Sequence, residues 1–347
     1  MGDCELRFTS LRLADAPMSA MAAYGLLRIA TEEPEFQGPP FLNAGTSPGA
    51  NSKLKVFLKW EKDSWRRDHY AVLVFRGEAL PPDCRANFLQ ALHQVLERRA
   101  KYPLSLFTTR PPHNLQIPEE IKEISKRERQ GVYDRLFSAL KTDSYAPLYA
   151  LFALGRWIIG RKGEKKFKDT PLLTYAGQVD PFGTYKSVLD YLEKEAKKNP
   201  QKLGDSLFGG HWSFLDRVKS FRFHPAIVQE DAYISYEASG KKLPTEAIGE
   251  WLAFESLPLY VTYLTRSGRD IVLPGVVVRN GDVVFRFPVW HYPISLPVLR
   301  SLLHLVVAEN LALEQFGQYG ITGIYEVAQY RVGKGEYRSV ATPVVVL

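Results

Sequence analysis

The chain has 347 residues, 45% of them hydrophobic, so it is long enough to bury one large core or two ordinary ones. Its 45 Lys and Arg residues outnumber 38 acidic residues, and the resulting net charge of +7 favours phosphate-rich partners such as nucleic acids. With only two cysteines, a disulfide framework is excluded. The sequence contains neither a secretory signal nor an apolar run of membrane-spanning length, so we expect a cytoplasmic protein without a membrane partner.

The first third of the chain alternates between strand and helix patterns. Hydrophobic periodicity, turn residues and a capping residue, Asp83, predict a strand, a helix, two antiparallel strands and a second helix in that order. These elements occupy residues 5–13, 17–29, 54–60, 70–76 and 84–101. The chain therefore begins with a mixed strand and helix region.

The middle of the chain is predicted to be helical and the last third to return to strands. Helices are expected at 118–141, 145–159 and 184–198, and strands at 232–237 and 259–265. Asn280-Gly281 predicts a hairpin between 271–278 and 282–287. A helix at 296–309 and a closing hairpin, 321–332 with 337–346, complete the pattern. We expect an α+β fold: an N-terminal strand, helix and hairpin, a helical middle, and a C-terminal antiparallel sheet with packed helices.

A weak domain boundary is predicted where Pro200, Gly204 and the pair Gly209-Gly210 interrupt the helical pattern. It divides the chain into an N-terminal region, 1–205, and a C-terminal region, 206–347. The alternative is one integrated domain.

Catalytic motifs are scarce. The nearest match to a phosphate-binding loop, residues 155–162, has bulky Trp157, Ile158 and Ile159 and lacks the required Lys and hydroxyl residue, so we interpret it as a helix face. The seven histidines show no metal-ligand spacing, and the chain contains no Gly-x-Ser-x-Gly motif. We expect no metal, no cofactor, no small-molecule substrate and no enzymatic activity.

The most informative segment is a basic loop between residues 156 and 168. It contains six cations and one acid, Glu164, which gives a local charge of +5. Such a cluster attracts phosphates and releases counterions on binding, although many charged runs are merely solvated. Its cations are Arg156, Arg161, Lys162, Lys165, Lys166 and Lys168.

A second candidate is the segment 212–223, where aromatic residues alternate with cations. The aromatic Phe214, Phe221 and Phe223 are interleaved with Arg217, Lys219 and Arg222. Aromatic faces stack on unpaired bases while cations hold the backbone, but half-buried strands alternate in the same way. A smaller candidate lies in the first hairpin turn, at Arg66 and Arg67.

Five short segments, in chain order, resemble CRISPR-associated proteins of type I effector complexes, specifically the large-subunit-like or accessory proteins of subtype G, formerly U. They are AAYGLLR at 22–28, LTYAG at 173–177, LFGGHW at 207–212, WLAFESLPL at 251–259 and FPVW at 287–290.

The resemblance implies a non-catalytic subunit in RNA-guided antiviral defence. Such a subunit would contact guide RNA or target DNA and other CRISPR effector subunits. One alternative is a ferredoxin-like backbone subunit that binds guide RNA, which requires two βαββαβ units. Another is a metal-independent, guide-processing ribonuclease that uses His211 or His224.

Overall fold

The structure, a computed structural model, is described here for the residues that follow in chain order: 2–42, 54–66, 68–101, 109–110, 114–115, 156–159, 163, 165–168, 181–221, 223–224, 243–279, 282–308, 312–332, 337–340 and 342–346. The predicted helix 118–141 and the predicted strand 232–237 lie outside these residues.

The described helices are α1 Met18–Glu32, α2 Pro34–Gln37, α3 Cys84–Ala100, α4 Pro181–Lys198, α5 Lys202–Phe208, α6 Ala247–Glu255 and α7 Leu296–Leu305. The described strands are β1 Gly2–Arg12, β2 Lys55–Asp63, β3 Asp68–Gly77, β4 Thr109–Arg110, β5 Asn114–Leu115, β6 Arg156–Ile159, β7 Lys165–Lys168, β8 Asp216–Val218, β9 Leu243–Thr245, β10 Tyr263–Leu264, β11 Ile271–Val272, β12 Val276–Arg279, β13 Asp282–Val289, β14 Gly323–Val332, β15 Tyr337–Val340 and β16 Val344–Val345. The predicted α+β class is confirmed.

The N-terminal part is an antiparallel sheet in the order β1-β3-β2, which contains the predicted first strand and the predicted antiparallel pair. Helix α1 lies against this sheet, and α3 follows β3 with its first turn capped by Asp83, whose carboxylate accepts a hydrogen bond from the Ala86 amide at 2.9 Å. The connection β1, α1, β2, β3, α3 gives the first five elements of a βαββαβ unit.

Helix α1 is the centre of the molecule. Thirteen of its 15 residues are buried, because the sheet covers one side and α6 covers another. Small residues on α1, including Ala22 and Gly25, allow α6 to come close, and every residue of α6 is buried. The contact joins residues on both sides of the predicted boundary near residue 205 into one hydrophobic core. The boundary itself stays a prediction.

The C-terminal sheet has the order β12-β13-β14-β15, with β16 paired to β14. It confirms the predicted hairpin around residues 280–281, because Arg279 is opposite Asp282, and the closing hairpin, because Val332 is opposite Tyr337. The segment after β13 then runs along the free edge of β2, where Leu58 and Ile294 exchange backbone hydrogen bonds of 2.8 and 2.9 Å. The two sheets are therefore connected directly.

Three local predictions are wrong. The helix expected at 145–159 does not include its last four residues, which form β6. Of the strand expected at 259–265, only Tyr263–Leu264 forms a strand, β10, and its first two residues belong to the 3-10 turn Leu257–Tyr260. The break expected from Pro200 to Gly210 is only partly present, because α4 ends at Lys198 as predicted but residues 202–208 form the helix α5. In the first case, pairing with the neighbouring strand β7 overrode the local pattern.

Among the described helices, none combines the length and the apolar character needed to cross a membrane.

Candidate nucleic-acid interface

The predicted basic loop forms a two-stranded antiparallel ribbon. Strand β6 pairs with β7, so Trp157, Ile158 and Ile159 belong to a strand and not to a helix face as predicted. We call β6 and β7 the basic ribbon. Arg161 and Lys162 lie outside the described residues.

The register of the ribbon places like charges opposite one another. Position Arg156 is directly opposite position Lys168, and position Lys166 is opposite Ile158. Residues opposite each other in an antiparallel pair have Cβ atoms about 4.5–5.5 Å apart, and like charges at that separation destabilise the pair. Positions 156, 166 and 168 share one face of the ribbon because side chains alternate along a strand.

The ribbon lies beside a second turn that carries two further cations. The Ile159 amide donates a hydrogen bond of 2.8 Å to the carbonyl oxygen of Gly268, in the turn between β10 and β11. Arg266 and Arg269 flank Gly268, and both are exposed. Neither arginine was a sequence candidate, because the segment 265–270 contains no charge run and only the tertiary contact brings it to the ribbon. The structure thus enlarges the predicted basic cluster.

The aromatic and basic segment 212–223 does not form the predicted stacking platform. Phe221 and Phe223 are buried, and the Phe221 ring packs on Phe254 with 5.2 Å between centroids. Phe214 is half-buried against His224, at 4.3 Å. Their faces are occupied by the core, so the segment follows the alternative reading of alternating core and surface residues.

The described cations of this segment differ in their exposure to solvent. Arg217, on β8, is exposed, whereas Lys219 is half-buried and Arg222 lies outside the described residues. The neighbouring Asp216 is buried and directed inwards, since its carboxylate accepts hydrogen bonds from Tyr191, Lys202 and the backbone amide of Ala247. These three donors hold the Asp216 carboxylate within the fold. Arg217, the next residue, is on the surface.

A buried acid beside Asp216 gives a prediction of pH dependence. Burial, together with repulsion from Asp216, raises the pKa of Glu246 to about 7 against the opposing effect of a hydrogen bond from Ser206. Because the folded-state pKa lies above the unfolded value, the protonated acid favours the fold, and this contribution is lost as pH rises from about 4.5 through 7.

We therefore expect Glu246→Gln to raise the free energy of unfolding by about 1–3 kcal/mol at pH 8 and to change it little at pH 4. Urea unfolding followed by circular dichroism at both pH values measures the difference. The exposed Glu314→Gln is the matched control. A lower stability of Glu246→Gln at pH 8 would contradict the assignment.

The turn between β2 and β3 brings the third predicted cluster to the segment 209–217. Arg66 is exposed and its guanidinium donates a hydrogen bond of 3.4 Å to the Gly210 carbonyl, to which Arg12 also donates, at 3.2 Å. Arg12 in turn pairs with Asp63 at 2.9 Å. Beside Arg66, the side chain of Trp65 is 94% exposed. Arg67 lies outside the described residues.

Two histidines stack at the same end of this hairpin. His69 is opposite Lys62 in the β2–β3 ladder, and its ring lies 5.8 Å from that of His291. His291 Nδ1 is 3.1 Å from the Trp60 carbonyl oxygen, and His69 Nδ1 is 3.2 Å from the Tyr325 hydroxyl. Burial, with repulsion from His291 and Lys62, lowers the pKa of His69 to about 4, so its ring is neutral at physiological pH.

These residues define a second surface, which we call the hairpin-end surface: Lys62, Trp65, Arg66, His69, His291 and Tyr292. Tyr292 is 78% exposed. The sequence identified only Arg66 of this group. Trp65 beside it could have been noticed, because a tryptophan between polar residues in a hairpin turn has no core to enter.

Ion pairs neutralise most of the cations on the exposed face of the N-terminal sheet. Arg7 pairs with Glu5 and Glu61 at 3.1 and 3.2 Å, Lys59 pairs with Glu5 at 2.8 Å, and another pair joins Arg76 to Asp3. Each of these cations has a carboxylate partner on the same face. This face is therefore less suited to a polyanion than the basic ribbon.

The proposed catalytic histidines are placed differently. His224 is buried, with Nε2 3.5 Å from Asp15 Oδ1, so it is not positioned to reach a substrate. His211 is exposed. Among the residues that the structure describes, no three potential His, Cys, Asp or Glu ligands cluster for a metal ion. Of the two histidines, the ribonuclease alternative thus retains only His211.

The chain matches no protein-family model, and neither a curated protein nor a solved structure shows significant similarity to it. The segments that carry the CRISPR resemblance lie mainly in the interior: 22–28 in α1, 251–259 in α6 and the following turn, and 287–290 at the end of β13. Segment 207–212 begins at the end of α5, whereas 173–177 lies outside the described residues. The buried residues among them belong to the core and not to a binding surface.

Proposed function

We propose that this protein is a cytoplasmic, non-catalytic subunit of a type I CRISPR effector complex and that it binds guide RNA or target DNA through the basic ribbon. The observation that carries the proposal is the register of the ribbon, in which Arg156 and Lys168 occupy opposite positions. A phosphate backbone supplies the negative charge that complements these basic positions.

The surroundings of the ribbon support the same function. Arg266 and Arg269 extend the positive charge across the backbone contact between Ile159 and Gly268. Phosphate contacts of this kind supply most of the sequence-independent affinity for nucleic acid, and they require exposed cations rather than deep pockets. The formal charge of +7 provides a favourable long-range field.

The CRISPR setting rests on the sequence resemblance alone. A ferredoxin-like, guide-RNA-binding backbone subunit is the second candidate, favoured by the β1-α1-β2-β3-α3 connection with sheet order β1-β3-β2. The described C-terminal sheet has a different pattern, since α7 joins two hairpins in a sheet of order β12-β13-β14-β15. This difference weighs against two βαββαβ units and favours the first candidate.

Fluorescence anisotropy with labelled single-stranded RNA, single-stranded DNA and duplex DNA tests the proposal. We expect affinity to fall steeply between 50 and 200 mM salt, roughly tenfold or more for several phosphate contacts. The double variant Arg266→Glu, Arg269→Glu should weaken binding at least about tenfold. It should also reduce the slope of log affinity against log salt by about 1.4–1.8, because each lost contact removes about 0.7–0.9.

The matched control is Lys194→Glu, Lys197→Glu, which changes the net charge equally on exposed positions of α4. It should retain most of the affinity. Equal losses of affinity in the two double variants would show that binding depends only on the net charge of the protein. If the protein binds no nucleic acid at 50 mM salt, alone or with its copurifying partners, the proposal fails.

A further inference from the structure

The hairpin-end surface combines exposed aromatic rings with cations at the closed end of a rigid β-hairpin. Trp65 and Tyr292 are 94% and 78% exposed, which is unusual for such large apolar side chains. Lys62 and Arg66 are exposed on the same hairpin. An exposed tryptophan held beside cations offers both stacking and phosphate contact, the two elements of single-strand recognition.

The surrounding contacts hold this surface in place. The turn is fixed by the Trp65 amide, which donates a hydrogen bond of 3.0 Å to Asp63, and Asp63 is itself paired with Arg12. His291 is held by its contact with the Trp60 carbonyl oxygen and by stacking on His69. The backbone of the adjacent Tyr292 is therefore held close to Trp60. Trp60 and Asp63 are three residues apart on β2, a separation of about 10 Å.

The acids of the hairpin end are engaged within the protein, whereas its cations remain available. Asp63 is occupied by Arg12, and Asp68 accepts hydrogen bonds from the Ala14 and His69 amides and from the Tyr325 hydroxyl. Lys62 and Arg66 are exposed. The surface is therefore positive as well as aromatic, which fits a nucleic acid better than an apolar protein partner.

We propose that the hairpin-end surface is a second binding site, specific for single-stranded nucleic acid, in which an unpaired base stacks on Trp65 while Arg66 and Lys62 contact its phosphates. This inference rests on the proposed nucleic-acid-binding function and adds a preference for unpaired strands. A duplex keeps its bases stacked on one another, so it cannot use the Trp65 face in the same way.

The fluorescence of Trp65 can report directly whether a base is stacked on its ring. The fluorescence difference between the wild type and Trp65→Phe is the emission of Trp65, which is 94% exposed. Four other tryptophans are at least 95% buried: Trp60, Trp212, Trp251 and Trp290. Oligo(dT) and oligo(U) of about 20 nucleotides should quench this difference signal at low salt, whereas a duplex of equal length should quench it weakly.

The affinity test uses anisotropy with the same oligonucleotides. Trp65→Ala should weaken single-strand binding roughly tenfold, Trp65→Phe should lose less because a ring remains, and duplex binding should change less than about twofold. Tyr319→Ala is the matched control, since it removes a 52% exposed aromatic ring that is not part of the hairpin-end surface.

Equal weakening of single-strand and duplex binding by Trp65→Ala, or unchanged single-strand affinity without quenching, overturns the inference and points to a protein-binding role for Trp65. The Arg266→Glu, Arg269→Glu variant beside the basic ribbon separates the two proposals. If the wild type binds nucleic acid and only the Arg266→Glu, Arg269→Glu variant is affected, the proposed function stands and the second site falls. If the wild type binds no nucleic acid, both fall.

Discussion

Glu255→Gln is expected to lower the free energy of unfolding by about 3–5 kcal/mol, because it removes one of the two carboxylates, Glu255 and Glu33, that the buried guanidinium groups of Arg28 and Arg99 share. Glu255, at the end of α6, is fully buried and pairs with Arg28 of α1 and Arg99 of α3. It also accepts hydrogen bonds from the Tyr185 hydroxyl at 2.8 Å and the Trp251 indole at 3.1 Å. One carboxylate thus joins four helices.

Glutamine cannot replace this carboxylate. Burial alone would raise the pKa of Glu255, but Arg99 and Arg28 lower it to about 2, so the group is ionised in the folded protein. Its contribution is present above the unfolded pKa, near 4.5, and is lost as pH falls towards 2. The side-chain amide introduced by Glu255→Gln would be neutral and would place its own donors against the guanidinium donors.

Urea unfolding at pH 7 measures the loss, and Glu314→Gln, at an exposed position, is the control. We expect the difference between wild type and Glu255→Gln to narrow below pH 4. A loss under about 1 kcal/mol at pH 7 would show that the cluster does not depend on its central charge.

Gly25→Ala is expected to prevent the normal packing of α1 on α6 and to lower stability by about 3 kcal/mol or more. A Cβ atom at Gly25 would overlap the carbonyl oxygen of Leu252 and lie 2.9 Å from its carbonyl carbon. Overpacking commonly costs about 1–3 kcal/mol, and the obstacle here is backbone that no rotamer change can move. The helices would have to separate at the centre of the core.

Thermal and urea unfolding, together with soluble yield, test this prediction. Gly317→Ala is the matched control, since no atom of the described residues lies within 4 Å of its Cβ position. That substitution should change stability by less than about 0.5 kcal/mol. Similar stability of the two variants would show that α1 and α6 do not approach as closely as described.

The regular elements could be predicted from the sequence where local signals agreed with tertiary pairing. Asp83 before an apolar helical pattern located α3, and Asn280-Gly281 between alternating segments located the β12–β13 hairpin. Both signals act over a few residues. The run Trp157-Ile158-Ile159 was misassigned because a short apolar run suits either helix or strand, and pairing with β7 decides between them.

The candidate site could be predicted only in part. The charge run identified the basic ribbon, but Arg266 and Arg269 are about 100 residues away and join it through the backbone contact between Ile159 and Gly268. Conversely, Phe221 and Phe223 have the spacing of a stacking platform yet are buried. Alternation indicates that one face is buried, but it does not indicate which face or against what.

The sequence by itself determined the α+β class, most element positions and the basic character of the molecule, because these depend on local periodicity, turn chemistry and composition. Only the tertiary structure decided that Glu255 joins Arg28 and Arg99, that Gly25 meets the backbone of α6, and that Trp65 remains exposed. These features depend on contacts between residues far apart in the chain, and no local pattern encodes which distant segment will supply the partner.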